Sequence, residues 1–220
     1  MAGHAVRRAL PADGVSRSDA LRNGMPMRLV AACAALFLTA TSAAAAADLA
    51  AGAAKAEVCA ACHGQDGVSP LAGTPSLAGQ PEGFLQWQLV YFRTGTRKNP
   101  IMQPLAAGLS DDDVRNLAAH FAAQKPPARG ANGAPDPAMF SVGQRVAQAN
   151  RCASCHREDY AGEKAAARIG GQREDYLLKS LRDFKSGART GGGVAAMPDA
   201  VYRLGDEELQ ALAHFMAHQP

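Results

Sequence analysis

The chain has 220 residues, enough for one or two small domains. Its formal charge of +3 overstates its basic character, because residues 1–47 hold five of the 23 Lys and Arg against two of the 20 Asp and Glu, leaving 18 of each beyond them. Such a balance provides no uncompensated basic stripe and excludes nucleic acid as a partner, while an aromatic content of only 5% implies that something besides side chains fills the interior.

The first element in the chain is a leader. Residues 28–47, RLVAACAALFLTATSAAAAA, join Arg28 to an apolar run from Leu29 to Ala40 and a small-residue tail from Ala43 to Ala47. This is the three-part pattern of a secretory signal peptide, with cleavage expected before Asp48. The run falls short of the roughly 20 apolar residues of a spanning helix, so residues 1–47 are assigned as a removed leader. Residues 1–24 precede two better start sites, Met25 and Met27, and are a candidate mis-set start. Cys33 leaves with the leader, and four cysteines remain.

A helix predicted over 48–60 runs into CAACH (59–63), and a second over 141–151 runs into CASCH (152–156). Each is Cys-x-x-Cys-His, the attachment sequence for c-type haem. Two thiols one turn apart, Cys59 and Cys62 or Cys152 and Cys155, can each add to a vinyl group on one porphyrin edge. The next residue, His63 or His156, is then held under the iron as an axial ligand. A Cys-x-x-Cys pair alone would also suit a dithiol redox site, half a zinc site or a disulfide. No β-branched or alternating run supports a βαβ setting, however, and 93 residues and a linker separate the pairs. The double occurrence points to two covalently bound haem c groups.

Between and after these motifs the sequence repeats. Residues 81–93 read as a helix with Pro81 at its first position and Phe84, Leu85, Leu89 and Phe92 on one face. Gly79, Gln80, Phe84, Leu85, Leu89, Phe92, Gly95 and Arg97 recur 92 positions later as Gly171, Gln172, Tyr176, Leu177, Leu181, Phe184, Gly187 and Arg189. A helix over 110–123 opens with Ser110 and Asp113 as a capping box, and Leu109, Val114 and Leu117 recur as Leu204, Leu209 and Leu212. Gly205 replaces Ser110 in the second copy, a slightly weaker cap. The stretch 122–137 is rich in Pro, Gly and Ala, a linker composition. The expected organisation is all-α: a domain over 48–124, a linker over 125–138 and a domain over 139–220, each of three main helices around a haem. Domains this small are marginal as bare cores, and a buried porphyrin supplies the missing apolar mass.

The sixth iron ligand decides between electron transfer and chemistry at the iron. Met102 lies 39 residues after His63 in the helix-poor loop TGTRKNPIMQP, and Met197 lies 41 residues after His156 in TGGGVAAMPD. Methionines in such loops are poor core residues, and both are assigned as axial ligands opposite their histidines. Met216 and Met139 are expected to pack, and His120, His214 and His218 to be surface or core residues. A thioether favours ferrous iron and raises the reduction potential, so both haems are expected to pass electrons rather than bind oxygen or peroxide. Arg97 and Arg189, each in a Gly-x-Arg position, are candidate partners of haem propionates, against the alternative of solvated loop charges.

CAACHGQDG (59–67), PSLAGQ (75–80), FLQWQLVYFRTGTR (84–97), IMQP and LSDDDVRNLAAHF, with their partners in the second half, resemble the dihaem cytochrome c4 family, two class I cytochrome c domains in tandem. The resemblance covers residues 48–220. It implies a periplasmic electron carrier, peripherally associated with the membrane in some settings, that takes electrons from a quinol-oxidising complex or a dehydrogenase and delivers them toward a terminal oxidase. It also implies facing domains whose propionates approach one another, and a Pro75 carbonyl that accepts the proximal histidine's ring N–H. In the second half Ala167 stands at that place, and any carbonyl can accept the same bond. Two other readings remain at this stage: a cytochrome subunit of a periplasmic dehydrogenase complex, and a dihaem peroxidase with an open iron position.

Overall fold

The computed structural model describes residues 46–128, 130–190 and 196–219. The leader assigned above lies, up to residue 45, outside the described residues. Residues 46–220 form one compact unit, and the described residues contain no β-strand, only an isolated bridge between Glu163 and Ala166. The first half contains α1 (Leu49–His63), α2 (Glu82–Thr94), α3 (Met102–Ala107) and α4 (Asp111–Ala122). The second contains α5 (Pro137–Ala149), α6 (Ala153–His156), α7 (Glu174–Lys185), α8 (Ala196–Val201) and α9 (Asp206–Ala217).

The main helices follow from their caps and apolar faces. Asp48 caps α1 by accepting from Ala50 and Ala51 N–H at 2.9 and 3.0 Å. Ser110 Oγ accepts from Asp113 N–H at 3.1 Å while the Asp113 carboxylate accepts from Ser110 N–H at 2.9 Å, the expected capping box. Gly205 keeps only the reverse bond, from its N–H to Glu208 at 2.8 Å. Ser110→Ala is therefore expected to cost about 1 kcal/mol, read as a fall of about 2–4 °C in the thermal midpoint.

Three helices per half is a correct count of the long elements but omits the short α6, as well as α3 and α8, which form where loops were expected around Met102 and Met197. The prolines that suggested loops, Pro104 and Pro198, each stand third in their helix, in the first turn, where the missing N–H has no intrahelical partner to lose. Asn99 starts α3 by accepting from Ile101 and Met102 N–H at 2.9 and 2.8 Å.

In each half the first helix crosses the last, α1 on α4 and α5 on α9. Glycines occupy the crossings: a Cβ on Gly52 would lie 2.3 Å from the Asn116 carbonyl oxygen, and one on Gly143 would lie 2.0 Å from that of Ala211. Ala56, Leu85, Leu117, Ala118 and Phe121 form the first core. Val146, Tyr160, Leu177, Phe184, Leu209, Leu212, Phe215 and Met216 are central to the second, so Met216 packs as expected.

The halves meet through equivalent residues. Gln80 and Gln172, 92 positions apart, are both buried and each reaches into the other half, to Arg168 and Ser76 respectively. Asp175 accepts from Gly73 N–H at 2.9 Å, and Gly83 lies against Lys164, where a Cβ would come 2.9 Å from the carbonyl oxygen.

Candidate functional site

The last turn of α1 carries Cys59, Cys62 and His63, and the chain leaves it through Gly64 at φ 84°. Residues three apart share a helix face, so both thiols open onto one cleft, together with His63, Leu89, Met102 and Leu117. The cleft is open to solvent and lined mainly by apolar side chains. Its mouth leaves Val58 62%, Ile101 64% and Leu105 48% exposed. Large apolar side chains this open to water imply an apolar body that the cleft is shaped to receive.

His63 is buried, and its Nδ1 lies 2.8 Å from the Pro75 carbonyl oxygen. A carbonyl can only accept, so Nδ1 carries the proton and Nε2 keeps a lone pair. Burial lowers the pKa of His63 and outweighs the opposing pull of that hydrogen bond. The ring is thus a neutral imidazole, the form that binds metal. Burial, with Cys62 adjacent, raises the Cys59 thiol pKa. Met102, at the start of α3, lines the same cleft as His63.

The second half repeats this construction with different local residues. Cys152 caps the short α6, Cys155 lies within it, His156 ends it, and Arg157 takes a left-handed φ of 68° where the first half has Gly64. His156 Nδ1 donates to the Ala167 carbonyl at 2.8 Å, so the bond survives the loss of proline. Burial again lowers the histidine's pKa. Met197, on α8, packs with Cys152 against the second core.

The four thiols do not gather into one metal centre. Among the described residues, the side chains close enough to share an ion are Glu174, His214 and His218. There His214 Nδ1 donates to Glu174 at 3.0 Å and Nε2 accepts from Asp136 N–H at 2.9 Å, so its lone pair is already engaged. His214 is buried and acts as a core tie, as expected of the late-helix histidines.

Arg97 and Arg189 come together between the halves. Arg97 donates to Gln88 at 2.6 Å and to the Tyr176 hydroxyl at 3.1 Å; Arg189 donates to Ser180 at 3.3 Å and to the same Gln88 at 3.1 Å. Each guanidinium lies over its own half's phenylalanine, Phe92 or Phe184, at 4.6 and 4.5 Å. Burial lowers the Arg189 pKa to about 10. The two cations bring the Tyr176 hydroxyl down to about 7, against the burial that would raise it. Among the described residues neither arginine has a carboxylate within ion-pair distance. A buried cation without a carboxylate partner, such as Arg189, is costly, and acidic groups from a bound molecule would balance it together with the half-buried Arg97. An apolar cleft, a neutral histidine with a free lone pair and cations without counter-ions together fit a haem.

Tyr176 and Gln88 belong to this cluster and were not singled out from sequence. The repeat shows only that Tyr176 adds a hydroxyl where the first copy has Phe84, and that Gln88 and its equivalent Ser180 are both polar; neither says that they meet.

Comparison with known proteins agrees in both halves. The profile of the family described as Cytochrome c matches residues 140–220, and that of Cytochrome C oxidase, cbb3-type, subunit III matches residues 44–121. The chain is 36% identical over 182 residues to cytochrome c4 of Pseudomonas aeruginosa, covering 78% of this chain and 89% of that protein. It is 36% identical over 213 residues to the thiosulfate dehydrogenase electron acceptor of Thiomonas intermedia, covering 91% of this chain and 95% of that one. Among solved structures, reduced recombinant cytochrome c4 from Pseudomonas stutzeri superposes with a TM-score of 0.73 at 32% identity, covering 80% of this chain and 100% of that chain.

Proposed function

The chain belongs to the cytochrome c4 family, electron carriers with two haem c groups rather than enzymes, and on that premise we propose how its own residues hold and tune them. Cys59 and Cys62 tether one haem and Cys152 and Cys155 the other. His63 with Met102, and His156 with Met197, supply the axial ligands. The haem contributes a one-electron iron couple, and the protein contributes everything that fixes its potential and accessibility. His63 and His156 present a neutral Nε2 because a backbone carbonyl holds each Nδ1 proton. Met102 and Met197 would each offer the iron a soft, uncharged donor that favours the ferrous state. Arg97 and Arg189 donate their remaining N–H groups to propionates at the junction of the halves, which gives those cations their missing counter-charge. The domains are taken as 48–124 and 139–220 with a linker over 125–138.

The observation that carries the ligand assignment is the pairing of His63 and Met102 in one cleft, matched by sequence position in the second half. Its test is the visible and near-infrared spectrum of the oxidised protein, quantified per chain. Two low-spin haems with the methionine-to-iron charge-transfer band are expected, with no change on adding cyanide or carbon monoxide at neutral pH. A vacant or exchangeable position on either iron would overturn the assignment and favour a peroxidase.

The location we propose is the periplasm, reached through the signal peptide. No helix among the described residues is long and apolar enough to cross a membrane. For donors we propose a quinol-oxidising complex or a periplasmic dehydrogenase, and for the acceptor a terminal oxidase. The likeness over 91% of the chain to a protein named as a thiosulfate dehydrogenase electron acceptor favours a dehydrogenase donor. Reduction of this protein by such a dehydrogenase in stopped flow is the direct measurement.

A further inference from the structure

The carbonyl that orients each histidine belongs to a peptide group gripped from the opposite half. Pro75 C=O and Ser76 N–H are one planar peptide unit. Its carbonyl accepts from His63 at 2.8 Å, and its N–H donates to Gln172 Oε1 at 2.9 Å. Gln172 Nε2 then donates to the Ser76 carbonyl at 2.8 Å. The mirror arrangement holds in the second half: Ala167 C=O accepts from His156 at 2.8 Å, Arg168 N–H donates to Gln80 Oε1 at 3.0 Å, and Gln80 Nε2 donates to the Arg168 carbonyl at 2.8 Å. Each side-chain amide thus binds one residue as a neighbouring strand would. Gly79 at φ 66° and Gly171 at φ 69° make the turns that send these glutamines out of their own halves.

We propose that Gln172 is a positioning and tuning residue for His63, and Gln80 for His156, so that each half sets the electron affinity of the haem in the other. Donation by the peptide N–H polarises its carbonyl, because consecutive hydrogen bonds strengthen one another. A more basic carbonyl draws more strongly on the Nδ1 proton, makes the imidazole a stronger donor to iron and stabilises the ferric state. Both glutamines are buried, with both amide atoms bonded, so no water is at hand to replace them. The inference rests on the assignment of His63 and His156 as iron ligands.

The test is a redox titration of the holoprotein followed haem by haem by proton NMR, with Gln172→Leu and Gln80→Leu. Gln172→Leu is expected to raise the potential of the haem on Cys59 and Cys62 and leave the other within error; Gln80→Leu is expected to do the reverse. A shift confined to the substituted half, an equal shift in both haems or no shift would overturn the proposal, since general loosening of the interface would act on both. Should a leucine variant fail to retain both haems, Gln172→Asn and Gln80→Asn, which keep the amide but withdraw it by one methylene, are read in the same way. An unaltered protein without two low-spin, histidine-ligated haems would refute the ligand assignment; an uncrossed pattern in a protein that has them refutes only the crossed tuning.

Discussion

Met102→Ala is expected to lower the potential of the first haem by ~0.1 V or more, a modest part of the roughly 0.8 V over which axial ligands move haem potentials. The thioether stabilises ferrous iron, whereas the water that replaces it does not. Half of the methionine-to-iron absorption should vanish, and that haem should acquire cyanide binding. The fold is expected to survive, because α3 is nucleated by Asn99 rather than by the methionine side chain, and Arg93 bonds the Leu109 carbonyl at 2.9 Å just beyond it. Titration of the variant beside the parent, with near-infrared spectra of both, measures each consequence. An unchanged band would mean that another side chain occupies the iron. Met197→Ala should do the same to the second haem alone.

Gly143→Val should be the most destabilising single change in the second half. The added Cβ would sit 2.0 Å from the Ala211 carbonyl oxygen and 2.5 Å from Phe215 Cβ, and the first of these is helix backbone that no rotamer change can move. Separating α5 from α9 would open the core around Phe215, which also stacks edge-on with Phe140 and Tyr160. Overpacking a tight core costs about 1–3 kcal/mol and sometimes more, and a backbone obstacle puts this case at or above the upper end. With about 2–4 °C per kcal/mol for a chain of this size, the thermal midpoint should fall by about 10 °C. Gly108→Ala is the control: nothing lies within 4 Å of its Cβ position, so a change within about ±0.5 kcal/mol is expected. Gly52→Val should repeat the large effect in the first half.

Much of this protein is legible in its sequence because covalent haem attachment demands a fixed spacing and because the chain states its plan twice. The haem motifs, the long helices and the Ser110 cap follow from local chemistry. Of the short helices not expected, α3 and α8 were missed for a local reason: a proline in a first turn and a proline in a loop look alike without the dihedral angles; α6 is a single turn of four residues, too short for any periodicity to show. The meeting of Arg97, Tyr176, Arg189 and Gln88 was beyond reach for a different reason. Nothing in a single repeat indicates which of its polar residues face the other copy. Gln80 and Gln172 were visible as recurring letters, but their bonds cross 96 and 88 positions, and only the packed halves reveal that each serves its neighbour.

The segment between the halves is also less free than its composition suggests. Gly79 turns tightly against Pro126, where a Cβ would come within 2.8 Å, and Asn132 donates to the carbonyls of Gln172 and Ala217 at 3.3 and 2.8 Å. The strap is thus held near its start, at Pro126, and again at its middle, at Asn132. Internal electron exchange is therefore expected to cross a gap of fixed length, at a rate insensitive to solvent viscosity rather than limited by a diffusive encounter between tethered partners.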